Sequence, residues 1–324
     1  MLAVKVLQAQ GIEVAGICFT SNFFNCQKAE AAAESLNVEL KKVDIAKDVL
    51  ALVKNPPSGY GKNLNPCIDC HSLMIRKAQE IAKTEKYDLI ATGEVLGQRP
   101  FSQNKIALSK VAKLSGAEVL RPLSAKLLPE TKIENSGLVI RGRLLDISGR
   151  NRERQVELAK KFHLKEFPMP AGGCLLTDPE FSARALKMLE YWPDCDTNDI
   201  DLLKNGRIFW FNLATGDKSQ KILLIVGRKE TENNNLTKLA KQGDFMVELI
   251  QENGPTSLIR TKFGGLLIPA ISSVINAPED LDSDFLDQVK PRNINEIIDI
   301  AKLINCYYAK KLRGKSVEVV IKTI

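Results

Sequence analysis

The pattern of apolar and polar positions alternates between helical and strand periodicity over the first 190 residues. The predicted helices span 1–10, 27–36 and 73–83, and the predicted strands span 13–20, 39–44 and 88–92. Such alternation is typical of an α/β domain built on a doubly wound parallel sheet. In such sheets ligands bind beyond the carboxyl ends of the strands. Thr20 and Gly93 each end a predicted strand, and Cys67 and Cys70 precede a helix, so we expect them to meet at that edge.

The pattern changes near residues 191–194 and becomes richer in strands. Predicted strands at 207–212, 221–226, 245–248 and 257–260 are followed by a long helix at 293–312 and a last strand at 316–321. The change predicts a second, smaller α/β domain. We place the first domain at 1–192 and the second at 200–324.

Composition limits the classes of protein to consider. The chain has 324 residues, and no apolar run approaches the roughly 20 residues that a membrane-spanning helix needs. Seven cysteines without a dense framework predict a reducing, cytoplasmic setting without disulfides. We expect Cys18 to lie in the core and assign no role to Cys26, Cys195 or Cys306. The net charge of +7 is a weak indication of an anionic partner.

Three of the cysteines form the candidate chemical centre. Cys67 and Cys70 are three residues apart, and Cys174 follows a pair of glycines, Gly172 and Gly173. A Cys-x-x-Cys pair brings two soft thiolates within reach of one metal or cluster, and a third cysteine leaves one position open. The alternative is three ordinary buried thiols. A neighbouring proline and histidine and the double glycine predict polar loops instead of core positions for all three.

These residues belong to motifs that resemble a known family. The segment 92–98 (TGEVLGQ), preceded by the cysteine pair and followed by 120–123 (LRPL), resembles the PP-loop ATPase domain of tRNA 4-thiouridine synthetases. The spacing Asn65-Pro66-x-x-x-Cys70 also resembles the tRNA 2-thiouridylase motif, in which the position of Cys67 is usually aspartate and Cys174 matches the second catalytic cysteine. The resemblance covers roughly residues 1–190 and implies an adenine nucleotide alpha hydrolase-like (HUP-type) fold. It places nucleotide or substrate contacts at Thr20, Gly93, Glu94, Gln98 and Arg99.

The beginning of the chain departs from that family. The family carries a Ser-Gly-Gly-x-Asp-Ser pyrophosphate loop immediately before a helix similar to residues 1–10, and its backbone N–H groups would hold the phosphates of ATP. The sequence begins just after that place. We therefore expect a start at an internal methionine and weak ATP binding, so that the chain as it stands could be inactive. The alternative is that the domain begins at Met1.

Residues 205–324 resemble a different module, the RNA-binding domain of NFACT proteins. The matching stretches are 224–230 (LIVGRKE) with Asn233, 241–244 (KQGD) and 309–315 (AKKLRGK). The resemblance implies RNA binding, and basic side chains there could contact phosphates without reading the sequence. The alternative is a charged helix end that complements the helix dipole. The expected RNA-binding residues are Arg228, Lys229, Lys310, Lys311 and Arg313.

Together the resemblances imply an ATP-dependent tRNA sulfurtransferase that uses ATP and Mg²⁺. Adenylation would turn a uridine oxygen into a leaving group, and sulfur from sulfide or a persulfide carrier would displace it. A catalytic cysteine could carry a persulfide, or Cys67, Cys70 and Cys174 could hold a 4Fe–4S cluster whose open iron binds sulfide; three ligands favour the cluster. Zinc with His71 as fourth ligand is a third option, although we expect His71 to cap the following helix or face solvent. The competing interpretation is a non-catalytic RNA-binding protein with a degenerate PP-loop domain.

Overall fold

The computed structural model describes residues 1–164, 173–215, 218–250, 253–262, 271–278 and 289–324. The chain forms two compact units, Met1–Ala183 and Arg184–Ile324. The border between the units lies within the helix Pro179–Tyr191.

The first unit combines a small parallel sheet with surrounding helices. Its helices are α1 (Leu2–Gln8), α2 (Gln27–Leu36), α3 (Ala46–Lys54), α4 (Cys67–Glu85), α5 (Lys105–Ser115), α6 (Lys132–Asn135), α7 (Glu153–Lys161) and the first turns of α8 (Pro179–Tyr191). Its strands are β1 (Gly16–Thr20) and β2 (Leu40–Asp44). Apolar side chains from α1 pack against those of the 95–147 region, and this cluster includes Val6, Leu7, Val95, Leu120 and Leu144.

The parallel sheet of the first unit is shorter than the doubly wound sheet that the sequence predicts. Strands β1 and β2 pair in parallel from Gly16↔Leu40 to Thr20↔Asp44, with α2 as the crossover. The predicted strand 88–92 contributes a single parallel bridge, Ala91↔Leu120. Among the described residues β1 pairs on one edge alone, so a doubly wound sheet remains a prediction.

Helix α4 begins earlier than the apolar spacing predicts. The prediction started at residue 73, because the apolar positions of the helix begin at Leu73. The structure begins the helix at Cys67, with Pro66 at the N-cap and Asp69 in the first turn, where an acidic side chain favours the helix dipole. The prediction that the cysteine pair lies in a loop is therefore wrong. The helix presents both thiols from its first turn.

Helix α3 was not predicted. Its buried positions Val49, Leu50 and Val53 have helical spacing, but they occupy little more than two turns between loop residues.

The second unit is an antiparallel sheet with helices. Its elements after α8 are α9 (Thr197–Leu202), β3 (Arg207–Thr215), β4 (Lys218–Val226), α10 (Glu230–Leu239), β5 (Phe245–Leu249), β6 (Ser257–Arg260), β7 (Ile271–Asn276), α11 (Ile294–Tyr308) and β8 (Ser316–Thr323). The strand order is β3-β4-β6-β5-β8-β7. The fully buried α11 side chains Ile297, Ala301 and Ile304 share one apolar core with Ile222 and Leu224 of the sheet. The predicted long helix ends at Tyr308 as an α-helix and continues as one 3₁₀ turn, Lys310–Leu312.

The structure corrects the expectation of a chain without disulfides. Cys18 and Cys26 form a disulfide with an S–S distance of 2.13 Å. Cys18 lies in β1 and Cys26 precedes α2, and the bridge between Ser21 and Phe24 folds the chain back between them. This chain reversal brings the two sulfurs together, and the number and spacing of the cysteines could not predict it.

Within the described ranges, no helix combines the length and the apolar character needed to cross a membrane.

Candidate functional site

A cavity of about 450 Å³ in the first unit contains the candidate chemical centre. Residues from the start of α2, the start of α4 and the segment 173–177 line it, and Arg99 adds a cation. Cys67, Cys70 and Cys174 all line this cavity, and all three are free thiols of intermediate exposure. The structure therefore brings together the three cysteines that the sequence singles out, from positions more than 100 residues apart.

The first turn of α4 positions two of the thiols. Residues three apart lie on one helix face, so Cys67 and Cys70 both face the cavity. The side-chain amide of Asn65 donates a hydrogen bond to the Cys67 sulfur at 3.1 Å. The carboxylate of Asp69, also in the first turn, accepts the Ser58 backbone N–H at 2.9 Å.

Two hydrogen bonds hold the segment that carries Cys174. The Leu175 backbone N–H donates to the Phe23 carbonyl at 2.9 Å. The Asn63 side chain donates to the Thr177 carbonyl at 2.8 Å. Gly172 lies outside the described residues, whereas Gly173 lines the cavity.

Burial and mutual proximity keep two of the thiols protonated at neutral pH. Burial raises the pKa of Cys70 to about 12, with further increases from the Cys174, Cys67 and Asp69 charges. Burial also raises the pKa of Cys174 to about 11; a backbone hydrogen bond opposes the increase, Cys67 adds to it, and the Arg99 guanidinium opposes it. A thiolate at either position therefore needs a bound positive partner.

A single metal ion has no ready ligand set here. Across the part of the chain that the structure describes, no group of three or more His, Cys, Asp or Glu side chains is arranged to hold a metal ion. His71 lines the cavity but points its Nδ1 atom at Glu94. Its Nδ1 atom is therefore engaged, and no side chain caps the start of α4, so the expectation that His71 caps the helix is wrong. The His71 side chain is partly exposed, with 24% of its surface accessible.

Glu94 contacts an arginine and a histidine, and the histidine lines the cysteine cavity. The Arg121 Nε atom donates to Oε2 of Glu94 at 3.0 Å, and Nδ1 of His71 lies 3.3 Å from Oε1 of Glu94. Oε1 of Glu94 and Nη2 of Arg121 are buried without hydrogen-bond partners among the described residues. Burial raises the pKa of Glu94, but His71 and Arg121 outweigh it and lower the pKa to about 2. Glu94 is therefore ionised at neutral pH, with His71 lying against one of its oxygens.

The residues predicted to contact a nucleotide have different environments in the structure. Gly93 is exposed, with open space where a Cβ atom would stand. Thr20 ends β1, and its carbonyl accepts the Ile45 N–H. Gln98 lies in a turn closed by its own N–H. Glu94 is occupied by its ion pairs. Of the set, Arg99 is the residue that lines the cysteine cavity.

Sequence reasoning missed several cavity residues, among them Lys28 and Met74. Lys28 comes from the first turn of α2, and Met74 comes from the second turn of α4. Nothing in the local sequence distinguishes Lys28 from the solvated face of an Ala- and Glu-rich helix. The chain reversal before α2 places Lys28 in the wall of the cysteine cavity.

In the second unit, the predicted RNA-binding residues have different environments. Arg228 is paired with Glu232, with Nη2 2.6 Å from Oε1, so its charge is largely compensated. Lys229, Lys310 and Lys311 are exposed, and none of the ion pairs formed by the described carboxylates includes these lysines. Arg313 lies over the Tyr307 ring at 4.1 Å from the centroid.

Comparison with known proteins identifies one similarity. The chain matches no curated protein. Residues 3–133 match the family model of the thiamine biosynthesis protein (ThiI), a span of less than half of the chain. The matched span includes the cysteine pair and Glu94, whereas Cys174 and the second unit lie outside it. The part of the chain that presents Cys67 and Cys70 is thus similar to the thiamine biosynthesis protein (ThiI) family.

Proposed function

We propose that this protein is an ATP-dependent tRNA sulfurtransferase that converts a uridine of tRNA into a thiouridine. The observation that carries the proposal is the cavity shared by three free cysteines, with Arg99 and Lys28 in its wall. The ThiI match over residues 3–133 supports the same reaction class, because the motifs of that span resemble tRNA thiolation enzymes. The match and the β1–α2–β2 unit also support a HUP-like, doubly wound fold for the first unit.

The three thiols fit a 4Fe–4S cluster better than a single ion. A cluster takes each thiolate on a different iron atom, so three cysteines around one cavity suffice without converging on one ion. Cys67, Cys70 and Cys174 would hold it, and the bound cluster would supply an iron atom with an open position for sulfide. Its positive irons would offset the burial and mutual repulsion that keep Cys70 and Cys174 protonated.

The residues around the cavity would orient the other reactants. The open space beside Gly93 allows close approach of a nucleotide. The Arg99 and Lys28 charges favour an anionic reactant, such as an adenylated uridine with its phosphates. Glu94, held as a carboxylate, would keep His71 in one orientation at the cavity wall. ATP, with Mg²⁺, would activate the uridine oxygen so that AMP leaves.

The second unit would hold the tRNA. Its exposed lysines at 229, 310 and 311 can contact phosphates without reading bases. Arg228 contributes less than its sequence suggests, because Glu232 already pairs with it.

A thiolation assay tests the proposal. Anaerobically purified protein is incubated with unmodified tRNA, ATP, Mg²⁺ and sulfide, and thiolated tRNA is detected by its retardation on mercury-containing gels. ATP is supplied at saturating concentration, which offsets the weak ATP binding that the sequence predicts. We expect product from the unaltered protein, and no product from Cys67→Ala, Cys70→Ala or Cys174→Ala. Cys306→Ala, a buried thiol of the second unit, is the matched control and should retain activity. Iron and acid-labile sulfide should be lost in the three cavity variants alone.

A second candidate is a non-catalytic RNA-binding protein. The unpaired lysines of the second unit favour it, because they do not depend on the cysteine cavity. Tight tRNA binding without thiolation or iron in any preparation would select this candidate over the enzyme.

A further inference from the structure

Two tyrosines lie between the basic segments of the second unit. Tyr307 and Tyr308 end α11, and their rings meet edge to face with centroids 5.2 Å apart. The turn with Lys310, Lys311 and Arg313 follows directly. Half-buried tyrosines at the surface of a basic helix end are placed to contact a ligand as well as the core.

Each tyrosine ring carries an arginine. The Arg207 guanidinium lies over the Tyr308 ring at 3.8 Å from the centroid, and that of Arg313 lies over Tyr307 at 4.1 Å. The Arg313 Nε atom also donates to the Tyr307 carbonyl at 3.0 Å. A guanidinium held over a ring has lost much of its rotamer freedom before any ligand arrives. Both arginines are partly exposed, so each guanidinium remains accessible to a planar group.

Arg207 links the segment that contains Lys229 to the segment that contains Lys310 and Lys311. Arg207 pairs with Val226 across β3 and β4, and Val226 is followed by Gly227, Arg228 and Lys229. Since the Arg207 side chain reaches Tyr308, the β4–α10 connection and the end of α11 adjoin.

A second contact supports this proximity. The Asn233 side chain, in the first turn of α10, donates to the Gly254 carbonyl at 3.0 Å. A Cβ atom on Gly254 would stand 3.3 Å from that of Ala309, which follows Tyr308. The start of α10 and the end of α11 therefore meet at the same short segment.

The charges at this place favour an anion. Lys229, Lys310, Lys311 and Lys315 are exposed, and the described carboxylates form no ion pair with them. The acidic residues of the first turn of α10 are Glu230 and Glu232, and Glu232 is occupied by Arg228. A surface that combines unpaired lysines with cation–aromatic stacks suits single-stranded nucleic acid, which offers both phosphates and exposed bases.

We propose that Arg207 on Tyr308 and Arg313 on Tyr307 are stacking platforms for unpaired RNA bases, while Lys229, Lys310 and Lys311 hold the flanking phosphates. The inference rests on the proposed RNA-binding function and specifies it: the second unit recognises an unpaired segment of RNA and not a duplex. Bases stacked inside a duplex cannot reach the guanidinium faces, whereas bases in a loop or at an end can.

Charge-conserving variants of the full chain test the proposal. Binding of a fluorescein-labelled oligouridylate and of a blunt RNA duplex of equal length is measured by fluorescence anisotropy. Arg207→Lys and Arg313→Lys keep the charge but lose the planar group, so each should weaken oligouridylate binding about tenfold. Duplex binding should stay within about twofold of the unaltered protein. Unchanged thermal melting of each variant confirms that the fold is intact.

A lysine variant serves as the matched control. Lys229→Gln should weaken binding of both RNAs to a similar degree and reduce the salt slope, since it would contact phosphate alone. Equal binding of oligouridylate by the arginine variants and the unaltered protein would overturn the stacking proposal, and so would an equal loss for both RNAs. In either case RNA binding by the protein itself would stand. Absence of binding to either RNA by the unaltered chain would overturn the proposed RNA-binding function as well.

Discussion

Arg260 and Asp244 form a bidentate ion pair inside the second unit. The Nη2–Oδ2 distance is 2.6 Å and the Nε–Oδ1 distance is 3.0 Å, and both side chains are almost completely buried. Arg260 also donates to Asp199 at 2.8 Å and to the Leu239 carbonyl at 2.9 Å. This guanidinium joins α9, the end of α10, the residue before β5, and β6. Lys262 also pairs with Asp199 at 2.7 Å, whereas Arg260 is the cation that pairs with Asp244 among the described residues.

Arg260→Met should therefore destabilise the second unit severely. Removal of one member of a buried ion pair costs about 3–5 kcal/mol, because Asp244 would stay buried without its cation. We expect urea denaturation to show a loss of that size. Arg292→Met is the matched control, since Arg292 forms an exposed pair with Glu296 and should change the free energy of unfolding by less than about 1 kcal/mol. Equal effects of the two substitutions would contradict the structural role of Arg260.

Glu94→Gln should reduce stability in a pH-dependent manner. The pKa of Glu94 is about 2 in the folded chain, against a reference value of 4.5. A lowered pKa stabilises the fold above pH 4.5, and this contribution is lost as the pH falls towards 2. The shift corresponds to roughly 3 kcal/mol at neutral pH. In urea titrations the difference between Glu94→Gln and the unaltered protein should shrink as the pH falls below 4.5. The exposed Glu34→Gln should have little effect at neutral pH.

The Cys18–Cys26 disulfide should be detectable by counting thiols. Alkylation of the denatured, unreduced chain should label the five free cysteines, and prior reduction should raise the number of labels to seven. The paired variant Cys18→Ala, Cys26→Ala should lose roughly 2–3 kcal/mol of stability, the amount expected for a loop of this length. Seven labels without reduction would contradict the disulfide.

Arg99→Met should lower the reactivity of Cys174. The Arg99 guanidinium opposes the burial that raises the pKa of Cys174 to about 11, so its removal should raise that pKa further and reduce the thiolate fraction at any given pH. The iodoacetamide alkylation rate of Cys174, followed by peptide mass spectrometry from pH 8 to pH 10, should fall severalfold. Arg313→Met, in the other unit, is the control. An unchanged rate would mean that Arg99 does not act on this thiol.

The sequence predicts some features of the molecule well because they depend on local patterns. The β3 and β4 strands follow continuous apolar runs, and α11 follows a long amphipathic repeat. The Cys-x-x-Cys spacing of Cys67 and Cys70 is a local signal that the sequence shows directly. Cys174 lines the same cavity as this pair. The role of the three thiols stays a prediction.

Other features depend on contacts between distant residues. The pairing of Glu94 with His71 and Arg121 joins three segments whose spacing carries no signal. The pairing of Arg228 with Glu232 is local, yet a basic motif in sequence gives no indication that its charge is compensated. The stacking of Arg207 on Tyr308 joins residues about a hundred positions apart.

The strand order of the second unit has a consequence for biosynthesis. Strand β8 is inserted between β5 and β7, although β5 is made some 70 residues earlier. Among the described strands, β7 is attached to the sheet through β8 alone, so it has no partner until β8 has left the ribosome. During that interval the exposed edges of β5 and β7 could pair with another nascent chain. A stop codon before Ser316 would therefore remove two strands from the sheet, not one, and we expect such a product to aggregate or be degraded.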